Sequence, residues 1–334
     1  MNVFNFLKRF SLRFYYYLGN NCFSLPINMR SIKYNKKVYV YTPAWGEQHL
    51  KWYSDYVLPS LMNDTNEGAL VKDGFEIKYV LYTLDSKENI INNVFKGNDK
   101  LLNKVEIIEF NKGVSNETRK IVVQSFLSIL KRCIKERAML YLTCADLVYG
   151  NSSLYNCVSA SYGKNKCLAS SYGRVSLDVL SEITPYPKEG IKNSQLVNLA
   201  MKYSHGSLKY ANEELDVNCT NEGISFKKLS SSLYSVTHNL PSPVLVFPIQ
   251  DDYEYFKNVD DFNAIDRGWL GSLIRTNRLK FSGSSDLCFY IELTPHSFDN
   301  NILIENKKHC DEISNPEIQN TVANTVVSIW RSTK

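Results

Sequence analysis

A single acid closes one of the apolar runs of this chain. Met139-Leu140-Tyr141-Leu142-Thr143-Cys144-Ala145-Asp146-Leu147-Val148-Tyr149 runs into the turn-forming Gly150-Asn151-Ser152-Ser153, and a helical pattern restarts at Leu154. This places the Asp146 carboxylate just outside the carboxyl end of a buried strand, where open α/β sheets bind their ligands. Asp85 ends an earlier apolar run, and Thr42-Pro43-Ala44-Trp45-Gly46 ends the first one. Other chemical signatures are missing. No GxGxxG follows the first run, which argues against a dinucleotide site. The chain has no GxxxxGK(S/T), no HExxH and no GxSxG, so a P-loop, a zincin helix and a nucleophile elbow have no sequence support. The five histidines (His49, His205, His238, His296 and His309) are scattered.

These acids need strands to carry them and helices to return the chain. Residues 38–42, 77–84, 105–110, 139–144 and 167–171 read as strands. Helical spacing fills the intervals at 48–61, at 86–95 with Ser86 as cap, at 117–137 and at 152–162. Such alternation predicts βαβ units and an α/β fold with a mostly parallel sheet flanked by helices. Right-handed crossovers then bring Thr42–Gly46, Asp85 and Asp146 to one rim. The second half is less regular and reads as α+β. It has a helix at 193–203, strands and turns over 226–248, a helix at 264–274 and a strand at 287–294. A last helix starts at Asn315-Pro316-Glu317 and carries Val322, Val326, Ile329 and Trp330. The chain divides into an arm (1–36), a ligand-binding α/β half (37–175) and a second half (176–334).

The net charge of +5 is localised. Lys8, Arg9, Arg13, Arg30, Lys33, Lys36 and Lys37 all precede the first acid, Glu47, leaving 32 basic against 34 acidic residues in the rest. The body therefore lacks the charge of a general nucleic-acid surface, and no nucleic-acid partner is expected. In the arm, Val3, Phe6, Leu7, Phe10, Phe14 and Tyr17 share one helical face, with Lys8, Arg9 and Arg13 opposite. That is the pattern of an interfacial anchor on an anionic membrane surface, and equally of a helix docked on its own domain. It is too short and too charged to span a bilayer. The eight cysteines form no CxxC pair and read as reduced thiols, which fits a cytoplasmic protein.

Three segments carry a family resemblance: Thr42-Pro43-Ala44-Trp45-Gly46, Leu58-Pro59-Ser60-Leu61 and the run from Ala145 to Leu154. Residues 37–175 resemble bacterial GT-A glycosyltransferases of surface-polysaccharide clusters, and the remainder resembles them loosely. The resemblance implies a GT-A-like fold, a nucleotide-sugar donor at the rim and a lipid-linked or glycan acceptor. It also implies Mg²⁺ or Mn²⁺ on the diphosphate, held by Asp146. His205, just after the helix at 193–203, reads either as a late metal ligand or as a histidine favouring the helix C-terminus. Thr42, Pro43, Ala44, Trp45, Gly46 and Asp85 would line the donor site. Trp45 either stacks on the base or packs in the rim, and Asp85 either binds the ribose or base or caps the next helix. An acceptor hydroxyl needs a general base, and Asp252, Asp286 and His238 are the candidates. Ser284-Ser285-Asp286 precedes a strand that would reach the rim with Glu292. Cys144 stands where a second acid often lies, which weakens the metal expectation. A cytoplasmic enzyme, peripheral on the inner membrane, follows from the arm and the acceptor class. Two rivals remain. A sugar nucleotidyltransferase usually has a Gly- and Lys/Arg-rich first loop, which Pro-Ala-Trp-Gly is not. A non-catalytic glycan- or nucleotide-binding protein on the same fold is the other.

Overall fold

The computed structural model describes residues 29–110, 118–170, 172–205, 224–238, 242–258, 268–295 and 326–333. Residues 1–28 of the arm lie outside them. Among the described residues no helix is long and apolar enough to cross a membrane.

The central element is β1 (Lys37–Pro43), parallel to β2 (Glu76–Thr83) on one side and to β4 (Met139–Leu142) on the other. Beyond β2, β3 (Val105–Glu109) pairs in parallel. Val38 to Thr42 are buried without alternation, as expected of a strand covered on both faces. One cover begins with α1 (Glu47–Trp52), which continues through a π-turn (Tyr53–Val57) into Leu58–Leu61. After β2 a short helix (Lys87–Asn89) starts at Ser86, whose hydroxyl accepts from Asn89 N at 3.2 Å. The other cover is α2 (Thr118–Glu136). Its Phe126 packs edge-on against Phe256 and Trp269.

After β4 the chain forms β5 (Leu147–Tyr149), α3 (Ser153–Ser161), β6 (Cys167–Ser170), β7 (Gly173–Ser176) and α4 (Asn193–Lys202). A hairpin of β8 (Ile224–Ser230) and β9 (Leu233–His238) follows. Then come β10 (Ser242–Val246), α5 (Gln250–Lys257), α6 (Gly268–Arg275), β11 (Leu279–Phe281), β12 (Tyr290–Thr294) and β13 (Val326–Arg331). The large sheet has the order β11-β6-β10-β4-β1-β2-β3. Its only antiparallel member is β10, between β4 and β6. A second sheet is β5-β12-β7 and a third is β13-β9-β8. Strands from both sides of residue 175 thus share the first two sheets. The architecture is α/β with a mostly parallel sheet between helices, as the alternation predicts.

The expected terminal helix is corrected over its described part. Val326–Arg331 is a strand, antiparallel to β9 from Val326↔His238 to Arg331↔Leu233. Val326, Val327 and Ile329 are β-branched and lose side-chain freedom in a helix. In the strand Trp330 is fully buried, its ring 4.8 Å from that of Phe289. The helix start at 315–317 lies outside the described residues.

Candidate functional site

A cavity of about 260 Å³ opens at the carboxyl ends of β1 and β4. From β1 the sheet grows toward β2 on one side and β4 on the other, so this is the switch point at which open sheets leave a crevice. Pro43 enters it from β1, and Thr143, Cys144 and Asp146 from the turn after β4. Val122 and Phe126 of α2 close one side. The other side is aromatic: Tyr172 stacks on Tyr290 with centroids 5.5 Å apart and planes at 7°.

The acid of this cavity is not alone. Glu292 of β12 also lines it. The β5–β12 ladder sets Glu292 opposite Leu147, and Leu293 N donates to Asp146 O at 2.9 Å. Alternation along β12 does the rest: Tyr290 and Glu292 face the cavity, while Ile291 and Leu293 pack into the core beneath the second sheet. Glu292 is held by Arg174 of β7, Nη2 to Oε1 at 2.7 Å. Burial, then repulsion from Glu292, pushes the Asp146 carboxyl up to about 7; the nearby Arg174 charge offsets only part of this. Asp146 keeps partial solvent access through the cavity mouth, so protein crowds it on most sides and leaves one open. The site is an apolar, aromatic pocket carrying two carboxylates, one of them held from β7 by Arg174, which does not line the cavity.

One of the sequence segments, Leu58-Pro59-Ser60-Leu61, turns out to hold this site rather than line it, together with the Gly150–Leu154 end of another. Ser60 Oγ, in Leu58-Pro59-Ser60-Leu61, accepts from Tyr149 N at 3.1 Å. Asn66 is fully buried, donates to Ser60 O and Gly150 O, and accepts from Leu154 N at 2.9 Å. Asn63 Nδ2 donates to Asn151 Oδ1 and Thr65 Oγ1 accepts from Ser152 N. Ser153 Oγ accepts from Phe289 N and lies 3.0 Å from Asn193 Oδ1. Gly150 is required by close approach: a Cβ there would sit 1.8 Å from Asn193 Oδ1. This polar latch fixes β5 and the start of β12 against residues 60–66 and α4, and so fixes Asp146 and Glu292.

The remaining candidates fall in other places. Thr42 and Ala44 are buried, and Ala44 N extends the β1–β2 ladder to Tyr82 O. Trp45 is half-buried and does not line the cavity. Asp85 accepts from Gly46 N at 2.8 Å, across the chain from the helix it was expected to cap, and Gly46 sits at φ +80°. Asp85 instead borders a neighbouring polar cavity of about 380 Å³ with Glu47, Lys51 and Asp55. His205 is buried at the edge of β7, its N bonded to Arg174 O, and does not line the cavity. Asp252 is a structural residue: it takes both Arg278 nitrogens (2.8 and 2.6 Å), Trp269 Nε1 and Ile249 N. Its side chain and that of Arg278 are 3% and 2% exposed, with no access to substrate. Asp286 is exposed, 3.8 Å from Arg331 Nε and outside the cavity lining. His238 ends β9 opposite Val326, in the third sheet. The general-base assignments to Asp252, Asp286 and His238 therefore gain no geometry. Glu292 carried a legible signal, a lone acid within Tyr290-Ile291-Glu292-Leu293-Thr294. Arg174, Tyr172 and Tyr290 carried none.

Among the described residues no three His, Cys, Asp or Glu side chains form a group able to hold a metal. Two carboxylates on one cavity still suit Mg²⁺ or Mn²⁺, which take most ligands from phosphate and water. Compared with known proteins, the chain matches no family model and no curated sequence.

Proposed function

We propose that this protein is a glycosyltransferase of the GT-A type that moves a sugar from a nucleotide-sugar donor to a lipid-linked or glycan acceptor in bacterial surface-polysaccharide synthesis. The observation that carries this reading is the cavity at the β1/β4 switch point, where Asp146 and Glu292 face stacked tyrosines. Tyrosine faces suit the apolar faces of sugar rings and bases. The two carboxylates suit ligand hydroxyls or a divalent cation.

In this mechanism Asp146 and Glu292 would hold the cation, which when bound neutralises charge growing on the leaving diphosphate. The chain itself supplies position. Arg174 aims Glu292 through their ion pair, and truncating either partner leaves a charge at a partly buried site. The tyrosine pair and Phe126 shape the wall and exclude water, which strengthens each polar contact inside. The loop Pro43 to Gly46, tied down by Asp85, sets the edge over which a donor would enter.

The test is a thermal-shift screen of UDP, GDP and CMP with and without Mn²⁺, followed by transfer or donor hydrolysis with the preferred nucleotide sugar. Binding of one nucleotide raises the apparent melting temperature by mass action. Asp146→Asn and Glu292→Gln should each cut turnover by at least tenfold. Full activity in both variants removes the acid pair from the mechanism. Nucleotide binding without transfer or hydrolysis favours the non-catalytic binder.

A further inference from the structure

We propose that the amino-terminal edge of the large sheet, opposite the candidate site, is a docking face for an anionic lipid bilayer, so that the β1/β4 cavity points away from the membrane. The charge distribution along the strand axis carries this. Each connection that enters a parallel strand of this sheet, β11 aside, brings an exposed cation. Lys33 and Lys36 precede β1, Lys72 precedes β2, Lys100 precedes β3, Arg137 precedes β4 and Lys164 precedes β6. None of the six forms an ion pair among the described residues. The exposed acids of this edge are Asp73, which accepts from Tyr155 OH, Asp99, and two at strand starts that are already paired, Glu76 with Lys37 and Lys78 and Glu106 with Arg132.

The carboxyl-terminal edge has the opposite sign. Glu47 and Asp55 follow β1, Asp85 and Glu88 follow β2, and Glu109 ends β3, against Lys51, Lys87 and Lys120. The body is near neutral overall, so its charges are sorted into an end-to-end dipole. Such a dipole turns its basic end toward an anionic surface, over roughly one Debye length. A second, independent observation places the arm on the same edge. Asn165 Nδ2, in the turn before β6, donates to Met29 O at 2.7 Å and to Ile32 O at 2.6 Å. Met29, the first described residue after the basic amphipathic sequence 1–28, thus lies on the edge that carries Lys33 and Lys164. Anchor sequence and basic edge together give two weak attachments that add, the arrangement stable peripheral binding requires.

The consequence concerns the acceptor, and that part alone rests on the glycosyltransferase reading. A strand of seven residues spans about 23 Å, so the cavity stands that far above the lipid surface. An acceptor sugar directly on its lipid phosphate would not reach it; the growing end of a longer glycan would.

The experiment uses the full chain and vesicles of phosphatidylcholine with increasing phosphatidylglycerol. Lys33, Lys72, Lys100 and Lys164 are changed together to Glu. The matched control changes Lys51, Lys87, Lys192 and Lys228 to Glu. At about 1 kcal/mol for each lysine near an anionic leaflet, losing four weakens binding by roughly a thousandfold. The control should stay within about threefold of wild type. Hydrogen exchange of the unaltered protein on the same vesicles needs no variant. It should slow at residues 96–104 and 162–166 and remain unchanged at 84–88. Equal losses in the two quadruple variants, protection at 84–88 instead, or tighter binding to single-stranded RNA than to the vesicles would each overturn the proposal.

Discussion

Asp252 is the residue on which sequence and structure disagree most, and it allows a quantitative test. In the structure it accepts four hydrogen bonds, two of them from Arg278, at a place where both side chains are almost fully buried. Asp252→Asn keeps the shape and removes the charge, leaving the guanidinium facing a neutral amide. Breaking a buried pair by removing one partner costs about 3–5 kcal/mol. Asp252→Ala adds an unsatisfied Trp269 N–H and the lost reach to Ile249 N, each about 1 kcal/mol or more and not simply additive. At roughly 2–4 °C per kcal/mol, Asp252→Asn should melt about 6–20 °C lower and Asp252→Ala lower still. Replacing both partners, Asp252→Leu with Arg278→Met, should recover much of the loss, because paired apolar groups fill the same volume without stranding a charge. The assay is calorimetry or urea unfolding, with sugar transfer measured well below each melting point. Asp252→Asn should transfer at close to the wild-type rate there. A variant with wild-type stability and no transfer would refute the structural assignment and return Asp252 to the chemistry.

Three further outcomes follow from the site. The folded protein holds a proton on Asp146 up to about pH 7, whereas the unfolded chain releases it near the ordinary carboxyl value of about 4. Stability should therefore fall as pH rises through that window and level off above it. Asp146→Asn should remove the slope and gain about 1–2 kcal/mol over wild type at pH 8, after allowing for the open side of the pocket. Unfolding curves at pH 4.5 and 8 check this, and an unchanged difference between the proteins would contradict it. Asn66→Ala strips three buried backbone partners and should cost about 2–4 kcal/mol in urea unfolding, although Asn66 is not part of the cavity wall. Gly150→Ala forces its new methyl onto Asn193 Oδ1; we expect a loss of about 1–3 kcal/mol from the displaced latch and a weaker nucleotide-induced thermal shift than in wild type.

The two halves of the chain were legible to different degrees. Residues 38–42 and 139–144 could be read as parallel strands because a strand buried on both faces needs an unbroken apolar run, while 77–84 and 105–110 were read from β-rich runs that carry Lys78, Glu106 and Glu109, as suits strands toward and at the sheet edge. The helices at 117–137 and 193–203 were equally plain, since a 3.6-residue stripe sustained over many residues has no strand counterpart. The end of the chain was not plain. Val326, Ile329 and Trp330 fit a helical stripe and a six-residue strand alike, and only the free edge of β9 decided for the strand.

The site divides along the same line. The sequence by itself determined that Asp146 follows a buried strand and that its rim neighbours come from the β1 end, because both depend on local order along the chain. Only the tertiary structure decided what Asp146 meets. Glu292, Arg174 and the tyrosine pair reach it through antiparallel β5–β12 and parallel β12–β7 pairing between residues up to 145 positions apart, and nothing in the local pattern of either segment encodes that register. Burial decided the rest: Asp252 and Asp146 are the same residue type, and one is enclosed by Arg278 and Trp269 while the other stands at the wall of an open cavity.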